Sequence, residues 1–165
     1  MQGFGVTLAF WALSLLAVGA AVGIMLARSL LHAVLWLVLT FVALAGLFIT
    51  LSADFIAVVQ VLVYAGAVGV LVLFGVMLTP NSAVANAETR LFGPGLLVAS
   101  LISAIAVYVA ATTDWTTVQR AGFETTAQEI GRALVNEYVL PFEVASVLLI
   151  AAMIGALVLV RTERT

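Results

Sequence analysis

Five long apolar runs constrain the fold of this chain more than any other feature. Each run holds about 20 residues with no charged side chain in its middle. A helix needs about 20 mainly apolar residues to cross the hydrocarbon core of a bilayer, because each residue advances it by about 1.5 Å. The runs therefore predict an all-α integral membrane protein with five transmembrane helices, at about residues 4–27, 30–51, 55–78, 91–111 and 142–160.

The overall composition supports this fold class. Hydrophobic residues make up 65% of the 165 residues and charged residues only 8%, whereas soluble domains carry about 25% charged residues. We expect a single membrane domain over residues 1–165. Because no basic residue precedes the first apolar run, which is longer than the core of a cleaved signal peptide, we predict that the first run is a retained helix.

Several kinds of site are excluded by residue counts. The formal net charge of −2 offers no basic surface for nucleic acid. The chain has no cysteine, so it can supply neither a disulfide nor cysteine ligands to an iron–sulfur cluster. His32 is the one histidine, so a His-rich metal site is also excluded.

The arginines predict how the chain is oriented in the membrane. All six basic residues are arginines. If the C-terminus is cytoplasmic, four of them lie inside the cell and two outside (Arg28, Arg90, Arg161 and Arg164 against Arg120 and Arg132). Because positive charge accumulates on the cytoplasmic side of membrane proteins, we predict an N-out, C-in arrangement.

The one long connection, between the fourth and fifth runs, has a helical pattern of its own. Its apolar residues recur every three or four positions, at Phe123, Ala127, Ile130, Leu134 and Tyr138. Charged residues are interspersed among them. This spacing predicts a short amphipathic helix over about 124–138, lying along the membrane surface or on a partner protein.

The third run has an unusual middle. Gln60 and Tyr64 are four residues apart, so they share one face of a helix, and polar side chains in hydrocarbon must find partners or water. Gly66, Gly69 and Gly75 follow them. Glycine at these positions is compatible with close helix packing or with a helix that rewinds locally, and the pattern alone does not choose between the two.

Two carboxylates stand near the starts of transmembrane helices. Asp54 precedes the third run and Glu143 begins the fifth. Each has two interpretations: a carboxylate stabilised by the helix dipole, or a carboxylate in a proton path.

Two segments resemble a known family. Val61–Leu78, which contains VYAGAV and then Met77, and Glu137–Arg161, which contains PFE, resemble the NuoJ-type subunit (subunit J) of respiratory complex I, the NADH-quinone oxidoreductase. The equivalent mitochondrial protein is ND subunit six. Length, span count and helix order agree with the resemblance. Gly69 and Gly75 depart from it, because relatives commonly have bulkier apolar residues at these positions.

The resemblance implies a non-redox subunit of the membrane arm, in a bacterial inner or plasma membrane. FMN, the iron–sulfur clusters and quinone would be bound by other subunits, so this chain would hold no cofactor, metal or catalytic residue. Its partners would be the adjacent small subunits, the membrane subunit of the quinone module and the lipid bilayer.

The resemblance also implies a mechanism centred on the third helix. A π-bulge near Tyr64–Gly66 would gate a path for protons and water, coupling quinone reduction to proton pumping. The implied gating residues are Tyr64, Ala65, Gly66 and Gly69. The candidates for the path are Gln60, Tyr64, Asp54 and Glu143.

Two other functions stay open. One is a subunit of a related ion-pumping complex driven by ferredoxin or another donor. The other is a small channel or transporter that works alone. A transporter should have polar groups at mid-depth and broken helices, and the sequence has few of either.

Overall fold

A computed structural model describes residues 3–79, 92–113 and 126–161. These residues form six helices: α1 (Phe4–Leu26), α2 (Leu30–Thr50), α3 (Asp54–Leu78), α4 (Phe92–Thr112), α5 (Thr126–Asn136) and α6 (Val139–Arg161). All except α5 are long and apolar enough to cross a membrane, which confirms the five predicted transmembrane helices. Arg90, Arg120 and Arg164 lie outside the described residues, and the N-out, C-in orientation stays a prediction.

The chain divides into two compact units, Met1–Gly122 and Phe123–Thr165. In the first unit α2 lies between α1 and α3, and it is the only helix in the described part of that unit that packs against either. The buried apolar residues are nearly all alanines: Ala17, Ala20, Val34, Ala43, Ala45 and Ala57. Small side chains let helix backbones approach closely, which is how helices commonly associate in a membrane.

Glycines extend the contact between α1 and α2. A Cβ atom added at Gly23 would lie 2.6 Å from the Trp36 ring, and one at Gly46 would lie 2.9 Å from the Leu13 side chain. A Cβ atom added at Gly19 would have no neighbour within 4 Å. Of the two glycines in the Gly19–Gly23 pair, only Gly23 therefore serves the contact with α2.

A tight turn reverses the chain between α2 and α3. The Ala53 N–H donates to the Phe48 carbonyl at 2.9 Å, and the Ser52 N–H donates to the Ile49 carbonyl at 3.0 Å. This is the Schellman arrangement, which satisfies the last carbonyls of a helix and needs a left-handed residue. Ser52 takes that role with φ 59°. The turn places Asp54 at the first position of α3.

In the second unit, α5 packs against α6. Ile130, Ala133 and Leu134 of α5 are partly covered, whereas Glu129 and Arg132 are exposed. The helix is shorter than the predicted 124–138, and residues 124 and 125 lie outside the described part of the chain. Its location on a membrane surface or on a partner protein stays a prediction.

Helix α6 begins three residues earlier than the predicted residue 142. Pro141 falls in its first turn, where a missing N–H costs no helical hydrogen bond. No described side chain of α4, or of the transmembrane stretch of α6, is buried within the structure. As far as the first unit is described, over residues 3–79 and 92–113, α4 packs against no other helix.

Candidate functional site

Helix α3 changes its hydrogen-bonding pattern along its length. It is α-helical over Asp54–Val59, π-helical over Gln60–Val68 and α-helical again over Gly69–Leu78. In a π-helix each N–H bonds to the carbonyl five residues earlier, and such segments are rare and frequent at functional sites. The segment Gln60–Val68 contains Tyr64, Ala65 and Gly66, and Gly69 is the first α-helical residue after it.

The π-helical segment changes which residues of α3 face α2. The less exposed positions of α3 include Ala57, Gln60, Ala65 and Gly69, at intervals of three, five and four residues. A regular α-helix returns to the same face after three or four residues. The interval of five lies within the π-helical segment, which therefore accommodates one extra residue. As a result, small residues face α2 both before and after this segment.

Gln60 is the first residue of the π-helical segment and is only 8% exposed. It is the only buried polar residue in the described parts of the chain. Among the described residues of the first unit, only α2 packs against this segment from outside α3, so the buried Gln60 side chain faces α2. No described side-chain nitrogen or oxygen is both buried and without a hydrogen-bond partner, and a polar side chain among apolar ones favours a water molecule or another polar group near it.

Tyr64 lies at the edge of the contact between α2 and α3. Its ring meets the ring of Phe41 edge-on, with centroids 5.7 Å apart and an interplanar angle of 64°. The residue is 47% exposed. Gln60 and Tyr64 are therefore both next to α2, but only Gln60 is buried as a residue.

The glycines of α3 differ in what surrounds them. A Cβ atom at Gly66 would lie 3.3 Å from the Val61 carbonyl oxygen, five residues earlier, and one at Gly69 would lie 3.0 Å from Val38 Cγ2 of α2. Gly75 has nothing within 4 Å. Gly66 thus relieves crowding inside the π-helical backbone, and Gly69 permits close approach to α2.

The two predicted carboxylates have different positions in their helices. Asp54 is in the first turn of α3 and borders a groove of about 370 Å³ between α2 and α3. The other residues that line the groove are apolar: Ala45, Ile49, Ala57, Val58, Val61 and Leu62. Glu143 is the fifth residue of α6, beyond its first turn, and is exposed. The helix-dipole interpretation therefore suits Asp54 better than Glu143.

Comparison with known proteins assigns the family. Residues 20–159 match the family described as NADH-ubiquinone/plastoquinone oxidoreductase chain 6. The chain belongs to this chain 6 family. The matched range runs from α1 to α6 and includes Asp54, the π-helical segment and Glu143, so every candidate residue of the chain 6 protein lies within it.

Three relatives illustrate the range of the chain 6 family. The NAD(P)H-quinone oxidoreductase chain 6 of Synechocystis sp. is 37% identical, over 94% of this chain and 81% of the relative. The NADH-quinone oxidoreductase subunit J of Rhodobacter capsulatus is 36% identical, over 95% of this chain and 82% of the relative. The F(420)H(2) dehydrogenase subunit J of Methanosarcina mazei is 36% identical, over 95% of this chain and 92% of the relative.

Proposed function

We propose that this chain is a non-redox membrane-arm subunit of a proton-translocating NADH:quinone oxidoreductase in a bacterial inner or plasma membrane. In this role α3 gates a path for protons and water that couples quinone reduction to pumping. FMN, iron–sulfur clusters and quinone are held by other subunits. Its neighbours are the small membrane subunits and the membrane subunit of the quinone module.

The observation that carries this proposal is the π-helical segment Gln60–Val68, with a buried glutamine as its first residue. Both features are unfavourable in a helix that serves only to span a membrane, because π-helical segments are rare and a polar side chain in hydrocarbon needs a polar partner or water. A gate gives both features a use. The amide can bind water, and the backbone has a second regular conformation available.

The geometry indicates how such a gate works. If the π-helical segment became α-helical, the extra residue would be lost from the repeat, and Gly69–Leu78 would rotate by about 100° relative to Asp54–Val59. Tyr64, four positions after Gln60, would then face α2 at the place that Ala65, five positions after Gln60, occupies now. Tyr64 would replace Ala65, and its phenol would fill the space beside the Gln60 amide.

The proposed path has two candidate carboxylates, one in each unit. Asp54 borders the groove between α2 and α3, and Glu143 lies near the start of α6. Both are candidates for the outer end of the path. The described middle sections of the five spans hold no charged residue, so in this proposal the chain opens and closes the path while proton-binding carboxylates lie in neighbouring subunits.

The gate is tested by Gly66→Val in the assembled complex. A branched side chain at this position crowds the Val61 carbonyl and disfavours the π-helical form. We expect quinone reduction and proton pumping both to fall about tenfold or more while assembly survives. Gly75→Val is the matched control on the same helix, because its Cβ position is open. Normal pumping by an assembled Gly66→Val complex would contradict the gate.

A second candidate keeps the pump but changes the electron donor. The similarity to the F(420)H(2) dehydrogenase subunit J, over 92% of that relative, favours a related complex driven by another donor. Oxidation rates of the purified complex with NADH, reduced ferredoxin and a reduced deazaflavin distinguish the two candidates. A complex that oxidises only NADH would contradict the second candidate. A stable small homo-oligomer in native membranes would contradict both and favour a channel.

A further inference from the structure

Glu143 is the one charged residue in the transmembrane stretch Val139–Val160 of α6, whose mean hydropathy is 2.5. Its side chain is exposed, like every other described side chain from Leu140 to the end of this stretch. An ionised carboxylate in a membrane is costly and is almost always paired, or faces a protein interior or a water-filled cavity. Glu143 therefore requires a favourable partner.

The start of α6 does not supply this partner. Glu143 is the fifth residue of the helix, about 6 Å along its axis from Val139. The N–H of Phe142, just before it, already donates to the Tyr138 carbonyl at 3.0 Å, and Pro141 has no N–H to offer. Few free backbone donors of the helix end remain for the carboxylate.

Three polar side chains among the described residues of the same unit have other partners or another direction. Ser146, one turn further along α6, donates to the Phe142 carbonyl at 2.9 Å. The Asn136 side-chain amide donates to the Arg132 carbonyl at 2.9 Å. Arg132 itself lies on the exposed side of α5, away from the partly covered Ile130, Ala133 and Leu134.

We infer that Glu143 marks a docking surface on the first turns of α6, where a transmembrane helix of a neighbouring subunit places an arginine or lysine against this carboxylate. Charge complementarity selects the partner: an apolar helix or a lipid tail would cover the surrounding residues equally well but would leave the carboxylate unpaired. The inference rests on the proposed function in one respect, that the chain is assembled with other membrane subunits.

The test uses the purified intact complex and two photo-reactive benzoylphenylalanine positions. One replaces Val147, one turn from Glu143 on the same face, and the other replaces Leu149, on a different face and similarly exposed. We expect the Val147 probe to cross-link to a transmembrane segment of another subunit that carries an arginine or lysine. The Leu149 probe should not reach that segment.

Charge exchange then tests the pair itself. Glu143→Gln should lower the yield of assembled complex about tenfold, because the partner cation is left unpaired, and Ser146→Ala should leave the yield unchanged. Glu143→Arg combined with glutamate at the cross-linked cation should restore assembly, even if Glu143→Gln alone fails to accumulate.

Four results would overturn the inference. These are cross-links to lipid only, cross-links to a segment without a cation, cross-links to this same chain, and normal assembly of both Glu143→Gln and Glu143→Leu. If the unmodified chain does not purify with other membrane subunits at all, the proposed function fails as well, so the two failures can be distinguished.

Discussion

Gln60 combines burial with an irregular backbone. The residue is buried, and it begins a π-helical segment. An amide in this position destabilises the contact with α2 unless water or another polar group reaches it. The contact between α2 and α3 would therefore be more stable with an apolar side chain here.

We predict that Gln60→Met separates stability from function. The methionine side chain has nearly the same length and needs no hydrogen bond, so the assembled complex should keep its thermal stability or gain about 1 kcal/mol. Proton pumping should fall, because water loses its polar partner beside α2. Thermal unfolding and pumping are measured on the same preparation.

Thr40→Val is the control for this prediction. The Thr40 hydroxyl donates to the Trp36 carbonyl of its own helix at 2.9 Å, so its removal takes away a polar group that is already satisfied. Pumping should be unaffected. If Gln60→Met pumps as fast as the parent complex, Gln60 has no part in the path.

Among the elements, Gly19 and Gly23 of α1 provide a matched pair. Gly23→Ala places a methyl group 2.6 Å from the Trp36 ring and should destabilise the contact between α1 and α2 by about 1–2 kcal/mol. Gly19→Ala meets nothing within 4 Å and should stabilise α1 by up to about 1 kcal/mol. Both changes in stability are measured by denaturing the detergent-solubilised complex and monitoring the release of its subunits. Equal effects would mean that α1 packs through a different face.

The turn between α2 and α3 offers a stabilising substitution. Ser52 holds a left-handed backbone conformation, with φ 59°, that costs an L-residue about 1 kcal/mol and costs glycine almost nothing. Ser52→Gly should therefore raise the thermal stability of the first unit by up to about 1 kcal/mol, and Ser52→Val should lower it. A lower stability with glycine would show that the serine hydroxyl, not the backbone, determines the turn.

The sequence predicts the spans well and their irregularities less well. Apolar runs of about 20 residues locate all five spans, because hydropathy averages over a whole helix. The start of α6 is missed by three residues, since Pro141 is favourable in a first turn and unfavourable further in.

Hydropathy also gives no indication that the π-helical segment begins at Gln60. Periodicity offers one signal, the interval of five between Gln60 and Ala65 among the small or polar residues Ala57, Gln60, Ala65 and Gly69. The family resemblance implies a π-bulge near Tyr64–Gly66 but not its first residue. The burial of Gln60 depends on α2, which no local pattern in α3 reveals. The paired or unpaired state of Glu143 likewise depends on chains that the sequence does not contain.

At the scale of the whole molecule, the spans differ sharply in how much of them is covered. In an apolar stretch of 18 residues from each span, 17% of the residues are buried in α2 and none is buried in α4 or α6. Among the described residues, α4 packs against no helix of the first unit and α6 packs only against α5 in the second, and helices with few packed neighbours open more readily. We therefore expect the chain to depend on partner subunits for part of its stability.

We predict that amide hydrogen exchange reveals this dependence. In the chain isolated in detergent, α4 and α6 should exchange about tenfold faster than α2, which has helices on both sides. In the assembled complex the difference should disappear. Equal protection in the isolated chain would mean that the chain covers α4 and α6 by itself.

The alanine-rich core of the first unit has a kinetic consequence. None of the described large side chains is fully buried, and the residues between the helices are mostly alanine and glycine. Alanine and glycine have no side-chain rotamers to lose or exchange. In the proposed gate, α3 turns against α2 with few buried bulky groups to displace, so the activation barrier would be set mainly by backbone hydrogen bonds within α3. Such a contact would allow fast rotation while the two helices stay packed.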